Sequence, residues 1–229
     1  MHNARRTFAL AIGALGFSAA LFSVPALATD AEDAKGLVQK SQATISGFAA
    51  SKDYASLGPA LGQAKAVLIF PQILKAGFIL GGSGGSGVLL VRNEKAGTWS
   101  GPAFYTMGAA SLGFQAGASA AEVVMVVHTQ KALDSLYSTK VKLGADASVA
   151  AGPKGIGTGA AIDADFIVYS KAKGAFAGLA VEGSVIDVRE NLNAAFYGKP
   201  ATPVDILVSK TVSNPAATGL QAAVKKATR

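Results

Sequence analysis

Hydrophobic and polar positions follow two different periods along this chain, and the change falls near Lys65. Before it, Ala34, Leu37/Val38, Ser41, Ile45 and Phe48 recur at helical spacing. Thr29 and Glu32 stand at capping-box separation. The pattern predicts a helix over 30–49 with a narrow apolar stripe and a mixed-charge face of Glu32, Asp33, Lys35 and Lys40. Residues 51–66 read as a short helix or turn, broken at Gly58-Pro59. From Lys65 to about Val188 the chain is rich in β-branched residues, Gly and Ala, punctuated at hairpin intervals. Strands are expected near 66–70, 76–82, 85–92, 97–106, 109–118, 121–128, 141–151, 158–169 and 175–188. Alternation is clearest late. Val141, Leu143, Ala145, Ala147 and Val149 share one side, and Ile162, Ala164, Phe166 and Val168 share another. Period two of this kind suits a sheet with one buried face. Helical patterns interrupt at 129–139 and 188–208. The expected fold class is α+β, mostly antiparallel β. Its sheet is curled, barrel-like or a sandwich, with an N-terminal helix and two or three short packing helices.

Composition changes the picture at the two ends. "MHNARR" is basic, "TFALAIGALGFSAALFSV" is apolar, and "ALA" at 26–28 is a small-x-small site. Together they read as a secretory signal over 1–28, cut after Ala28. Residues 29–208 then form one domain, and 209–229 a basic C-terminal tail, helical or disordered. The chain has no cysteine, so an exported form is held by its core and not by disulfides. The expected location is periplasmic or secreted.

The net charge of +7 suggests an anionic partner, but its distribution weakens that reading. Between Thr29 and Val208, fifteen basic residues meet fourteen acidic ones. Nucleic-acid binding needs a concentrated basic face, and none is expected. With no Cys and one His beyond the leader, metal ligands are scarce. Asp163 and Asp165, two apart on a strand, are read as solvated carboxylates, and no metal or cofactor is expected.

The stretch Gly81-Gly82-Ser83-Gly84-Gly85-Ser86-Gly87 matches two active-site patterns. As G-x-S-x-G it would be a nucleophile elbow, which needs a strand-to-helix turn and a histidine partner. The following "VLLVRN" reads as a strand, and His128 closes another apolar strand. As G-x-G-x-x-G it would cradle a pyrophosphate, which needs a helix N-terminus behind it and an acid about 20 residues on. Glu94 comes too early and Glu122 too late. The glycines are therefore expected to be a sheet bend or hairpin, whose N–H groups could still meet a phosphate. No enzymatic activity is expected.

Six blocks then acquire a common meaning. Residues 64–127, from "AKAVLIFPQILKAGF" through "ILGGSGGSGVLLVRN" to "AEVVMVV", are followed by "LGADASVAAGPKG", "IVYSKAKGAFAGLAVEGSVI" and "NAAFYG". In this order and spacing the chain resembles the SYLF-domain family, from about Ala34 to Val208. The resemblance implies lipid binding, with bacterial members exported and standing alone. It places membrane contact on an N-terminal amphipathic helix with basic residues. Here that helix offers only Lys35 and Lys40, beside three acids. Lys65, Lys75, Lys171 and Lys173 fall in matching blocks and, with Gly84 and Gly85, complete the candidate lipid-binding set.

The expected function is non-enzymatic phospholipid binding at the bacterial periplasm or envelope, with a phospholipid or membrane surface as partner. Two alternatives stand beside it: a small outer-membrane β-barrel, and a self-associating envelope protein pairing through exposed strand edges. A hydrolase using Ser83 or Ser86 is a third.

Overall fold

The computed structural model describes residues 26–77, 80–112, 117–138, 140–152, 164–174, 181 and 183–229. Positions 26–28, 76–77, 80, 111–112, 117–118 and 173–174 are described by backbone alone. The expected signal segment therefore lies almost wholly outside the described residues, as do Ile162, Asp163 and about half of each strand expected at 158–169 and 175–188.

Helix α1, Ala26–Ala49, buries Ala34, Val38, Ser41, Ile45 and Phe48, the stripe the spacing predicts. A 3-10 turn at Lys52–Tyr54 and helix α2, Leu57–Gln63, lead into the sheet. Its first four strands are long: β1 Ala66–Gly77, β2 Leu80–Asn93, β3 Thr98–Leu112 and β4 Gly117–Val127. Helix α3, Gln130–Leu136, follows, capped by the Thr129 hydroxyl accepting from Ala132 N. Then come β5 Lys140–Lys142, β6 Val149–Ala151, β7 Phe166–Gly174 and β8 Val185–Val188. Helices α4 Glu190–Tyr197, α5 Pro203–Leu207 and α6 Thr218–Ala227 close the chain. The strand order is β5-β8-β3-β2-β1-β4-β7-β6, antiparallel except for the β6–β7 pair, and the sheet curls into a half-barrel.

Several expectations change here. The strand expected at 76–82 divides between the end of β1 and the start of β2, and β2 runs unbroken from Leu80 through the strand expected at 85–92. The strand expected at 109–118 likewise divides between β3, which continues from 97–106 across Met107–Gly108, and the start of β4. Gly81–Gly87 is therefore neither a bend nor a hairpin. None of these glycines has a positive φ, so none is used for a turn. The strand expected over 141–151 does break, because Gly144 turns at φ +83° and Asp146 accepts from the Lys142 N–H. The helix expected over 188–208 splits at Gly198, at φ +73°. Thr202, Pro203 and Asp205 then restart it with a capping box. The segment read as a basic tail carries α6, whose Leu220, Val224 and Ala227 are buried.

The sheet buries both faces, not the single face the late alternation suggests: Ile167 and Tyr169 are buried as well as Phe166 and Val168, because helices pack on the second side. Leu68, Phe70, Leu89, Tyr105, Met125 and Phe166 fill the inner core, closed by α3 and α5. Val67, Ile69, Leu90, Phe104, Val126 and Tyr169 form the outer core, roofed by α1, α2, α4 and α6. The unbroken apolar runs "AVLIF" and "EVVMVV" belong to strands packed on two sides. A transmembrane barrel needs an outward face turned to lipid. Here helices cover that face, and among the described residues the hydrogen-bonded order runs open from β5 to β6.

Two prolines sit inside the sheet, and each coincides with a shift of register. β1 gains a residue at Phe70–Ile73 against both β2 and β4, around Pro71 and Gln72. β3 gains one near Gly101-Pro102. A proline has no N–H for the ladder, so an interior strand keeps one only where pairing is interrupted. The second bulge is tied down from the helix layer. Tyr197 donates its hydroxyl to Pro102 O at 2.8 Å, and Gln221 donates to Gly101 O at 2.7 Å. Burial pushes the Tyr197 hydroxyl pKa up, which keeps it a donor.

Candidate functional site

The bulge in β1 explains the glycines in β2. A Cβ at Gly85 would lie 2.0 Å from the Gln72 carbonyl oxygen, and one at Gly87 would lie 2.4 Å from Phe70 Cδ1. Only glycine lets β2 run this close to the displaced backbone. Gly84 is different, since its Cβ would meet Met107 O at an ordinary 3.5 Å.

Above this stretch α1 and the sheet leave a groove of about 350 Å³. Gly36, Leu37 and Lys40 of α1 form one wall, and Gly84, Gly85 and Ser86 of β2 the other. Pro71, Gln72 and Leu74 of the bulge lie between them. A second depression of about 300 Å³ shares Lys40, Pro71 and Gln72 and continues past Ala43 to Glu122 and Lys171. The glycine wall carries no side chain to fill the space. Leu74 stays 55 % exposed there, the most exposed large hydrophobic residue among those described.

Charge enters from three elements. Glu32 and Asp33 come from the first turns of α1, and Arg189 from the residue that caps α4. The guanidinium is held in place: Nη1 donates to Ser86 Oγ at 2.9 Å and Nε to Asn191 Oδ1 at 3.3 Å. Asn191 in turn donates to Asp30 Oδ2 at 3.2 Å, which ties this corner to α1. At the far end Glu122 accepts from the Thr44 hydroxyl at 3.3 Å and stands opposite Lys171 in the β4–β7 register.

The structure brings together Lys40, Gly84, Gly85 and Lys171 of the expected set. Lys35 is exposed on α1 but lines neither depression. Lys65 pairs with Glu94 at 2.5 Å, at the opposite end of β1. That lysine, by hydrogen bond and charge, lowers the Glu94 pKa. Lys75 is half-buried beyond the bulge, in register with Ser83 and Ser119. The Lys173 side chain lies outside the described residues. β2 is flanked on both sides, so its glycine N–H groups face partner strands; Gly84 and Gly85 serve the groove as a flat wall. Reading the sequence missed Arg189, Gln72 and Leu74. No local signal marks them, because each reaches the groove through tertiary packing; a proline inside an apolar run was the available hint for the last two.

The serine motif lacks its context. Ser86 Oγ accepts from Arg189, and Ser83 is paired with Lys75. His128 follows Val127, which pairs with Ala66 at the other end of β1. Nine residue steps separate Ala66 from Lys75, roughly 30 Å at about 3.3 Å per step. Asp165 is engaged elsewhere: it accepts from the Thr129 hydroxyl and from the Ser148 N–H and hydroxyl. The Thr129 bond is the main reason its carboxyl lies below the usual range. Among the described residues no group of His, Cys, Asp and Glu could hold a metal, and no helix is long and apolar enough to cross a membrane.

Known proteins share this chain's sequence over about two thirds of its length. A family model described as "Las17-binding protein actin regulator", Ysc84, matches residues 108–227. LAS seventeen-binding protein 3 of Saccharomyces cerevisiae is 40 % identical over 164 residues, 68 % of this chain and 35 % of its own length. Protein YSC84 of the same yeast is 39 % identical over 165 residues, 69 % of this chain and 35 % of its own length. Human SH3 domain-containing YSC84-like protein 1 is 30 % identical over 156 residues, 66 % of this chain and 45 % of its own length. The chain thus spans less than half the length of these curated relatives. No solved structure matches it significantly. The order of blocks read from the sequence and the match over 108–227 agree: this chain belongs to the Ysc84, or SYLF-domain, family.

Proposed function

We propose that this protein binds phospholipid at the cell envelope and catalyses no reaction. The observation that supports the reading is the groove between α1 and the glycine wall of β2. It pairs the exposed Leu74 and the half-buried Leu37 with the cationic groups of Arg189 and Lys40. An amphiphile needs that combination: apolar area for its chain and charged donors for its phosphate. The secretory pattern of residues 1–28 supports an envelope location.

Flotation of the protein purified from its native host, with vesicles of phosphatidylethanolamine and phosphatidylglycerol, tests the reading. Co-flotation that is lost in a Leu74→Asp variant is expected. A folded protein that stays at the bottom of the gradient with every mixture overturns it. Cell fractionation tests the location, and recovery from the cytosol alone overturns that part.

A second reading comes from the printed names of the relatives, which describe Las17-binding proteins. On it, the shared domain meets a protein partner. Saturable capture of purified Las17 in the absence of lipid would favour it.

A further inference from the structure

We propose that the groove selects a zwitterionic phospholipid carrying a primary ammonium over an anionic one. The inference rests on the lipid reading above and gives that site its headgroup class.

Its basis is the charge balance of the lining. Six charged side chains border the two depressions: Glu32, Asp33 and Glu122 against Lys40, Lys171 and Arg189. The groove is formally neutral although the whole chain carries +7. Opposite charges crowded into one cleft usually pair, yet here they do not. Among the described residues the ion pairs within 4 Å are Lys65–Glu94 and Lys140–Asp187, and neither touches the groove. The cleft holds its acids and bases apart.

A bound anion would meet three carboxylates along with three cations, and its attraction would largely cancel. A zwitterion can use both signs. Arg189 is the phosphate donor the structure prepares. Ser86 and Asn191 fix two of its nitrogens, and Nη2 has no partner among the described residues. A guanidinium held this way presents a planar donor to a phosphate with little rotamer freedom left to lose. Glu32 and Asp33 line the same depression and are acceptors for an ammonium. A primary ammonium has three N–H donors for them, which a quaternary one lacks. Leu74 and Leu37 take the start of the acyl chains.

The test compares full-chain protein on three vesicles: phosphatidylcholine alone, and phosphatidylcholine mixed equally with phosphatidylethanolamine or with phosphatidylglycerol. Tightest binding is expected on the phosphatidylethanolamine mixture. The Glu32→Gln, Asp33→Asn double variant should lose about tenfold there and gain on phosphatidylglycerol, reversing the order. Arg189→Gln should weaken binding to both. Soluble glycerophosphoethanolamine should compete, and a failure to compete would place recognition in the bilayer surface and overturn the headgroup site. Both carboxylates are exposed, so the double variant should keep the wild-type melting temperature. Equal or tighter wild-type binding to phosphatidylglycerol, or an unchanged order in the double variant, overturns this inference while leaving lipid binding intact. No binding to any vesicle overturns the lipid reading itself.

Discussion

The two halves of β2 run in the same strand between the same neighbours, yet they solve opposite problems. From Val88 to Leu90 every side chain is fully buried, Leu89 in the inner core and Val88 and Leu90 in the outer one. From Gly81 to Ser86 the residues are small and partly exposed, and the helix above leaves a groove. The difference originates in β1. Opposite the apolar half, Ala66–Ile69 pair in regular register; opposite the glycine half, Pro71 and Gln72 bulge. Ile73 then points to the inner core, which the bulge allows by shifting the parity of the strand. A sheet packed on both faces has no room for a ligand. This one makes room by removing side chains from one strand where its neighbour is displaced.

The comparison breaks hardest at Gly85. Gly85→Val should displace the Gln72 backbone, cost more than the ~3 kcal/mol typical of overpacking, and leave little folded protein. Chemical denaturation of the soluble fraction reads this out, and wild-type stability would refute the close-approach argument. In the apolar half, Leu90→Ala should cost about 2–5 kcal/mol in urea unfolding, because the side chain is wholly enclosed. The protein that remains folded should bind vesicles as the wild type does, because Leu90 does not line the groove.

A smaller effect lies at the corner where the apolar half of β4 turns into α3. Asp165 there has a folded pKa below its unfolded one, so its contribution is present above about pH 4 and is lost as pH falls through the folded value. Asp165→Asn should melt earlier than wild type at pH 7, and the gap should close below about pH 4. A gap independent of pH would show that the Thr129 and Ser148 bonds do not depend on the charge. The smallest stability effect belongs to Gly84→Ala, within about 0.5 kcal/mol, since its Cβ meets only an ordinary contact. The methyl group nevertheless enters the groove wall and should weaken vesicle binding. Adjacent glycines would then separate stability from binding.

Much of the scaffold is readable from residue spacing. The stripe Ala34–Val38–Ile45–Phe48 marks the buried face of α1, and the apolar runs mark β1 and β4. Thr202-Pro203 with Asp205, a helix start in the structure, fell inside the single helix expected over 188–208. The groove is less legible. Lys40 and Lys171 were accessible through family resemblance, but Lys65 shared that signal and is spent on Glu94. Arg189 precedes an ordinary helix and gains its role only because Ser86, 103 residues away, lies beside it. The glycine run reads in sequence as a place to turn, and in space it is a place of close approach.

Local patterning alone determined the buried stripe of α1, the apolar runs of the central strands, the α+β class and the family. These depend on period and composition, which each segment carries by itself. Tertiary structure decided that Pro71 falls in an interior strand, that the glycines opposite it stay extended, and that acids and bases from α1, β4, β7 and the start of α4 border one cleft without pairing. Those facts depend on distances between segments far apart in the chain, and packing sets such distances only after every element has found its neighbours.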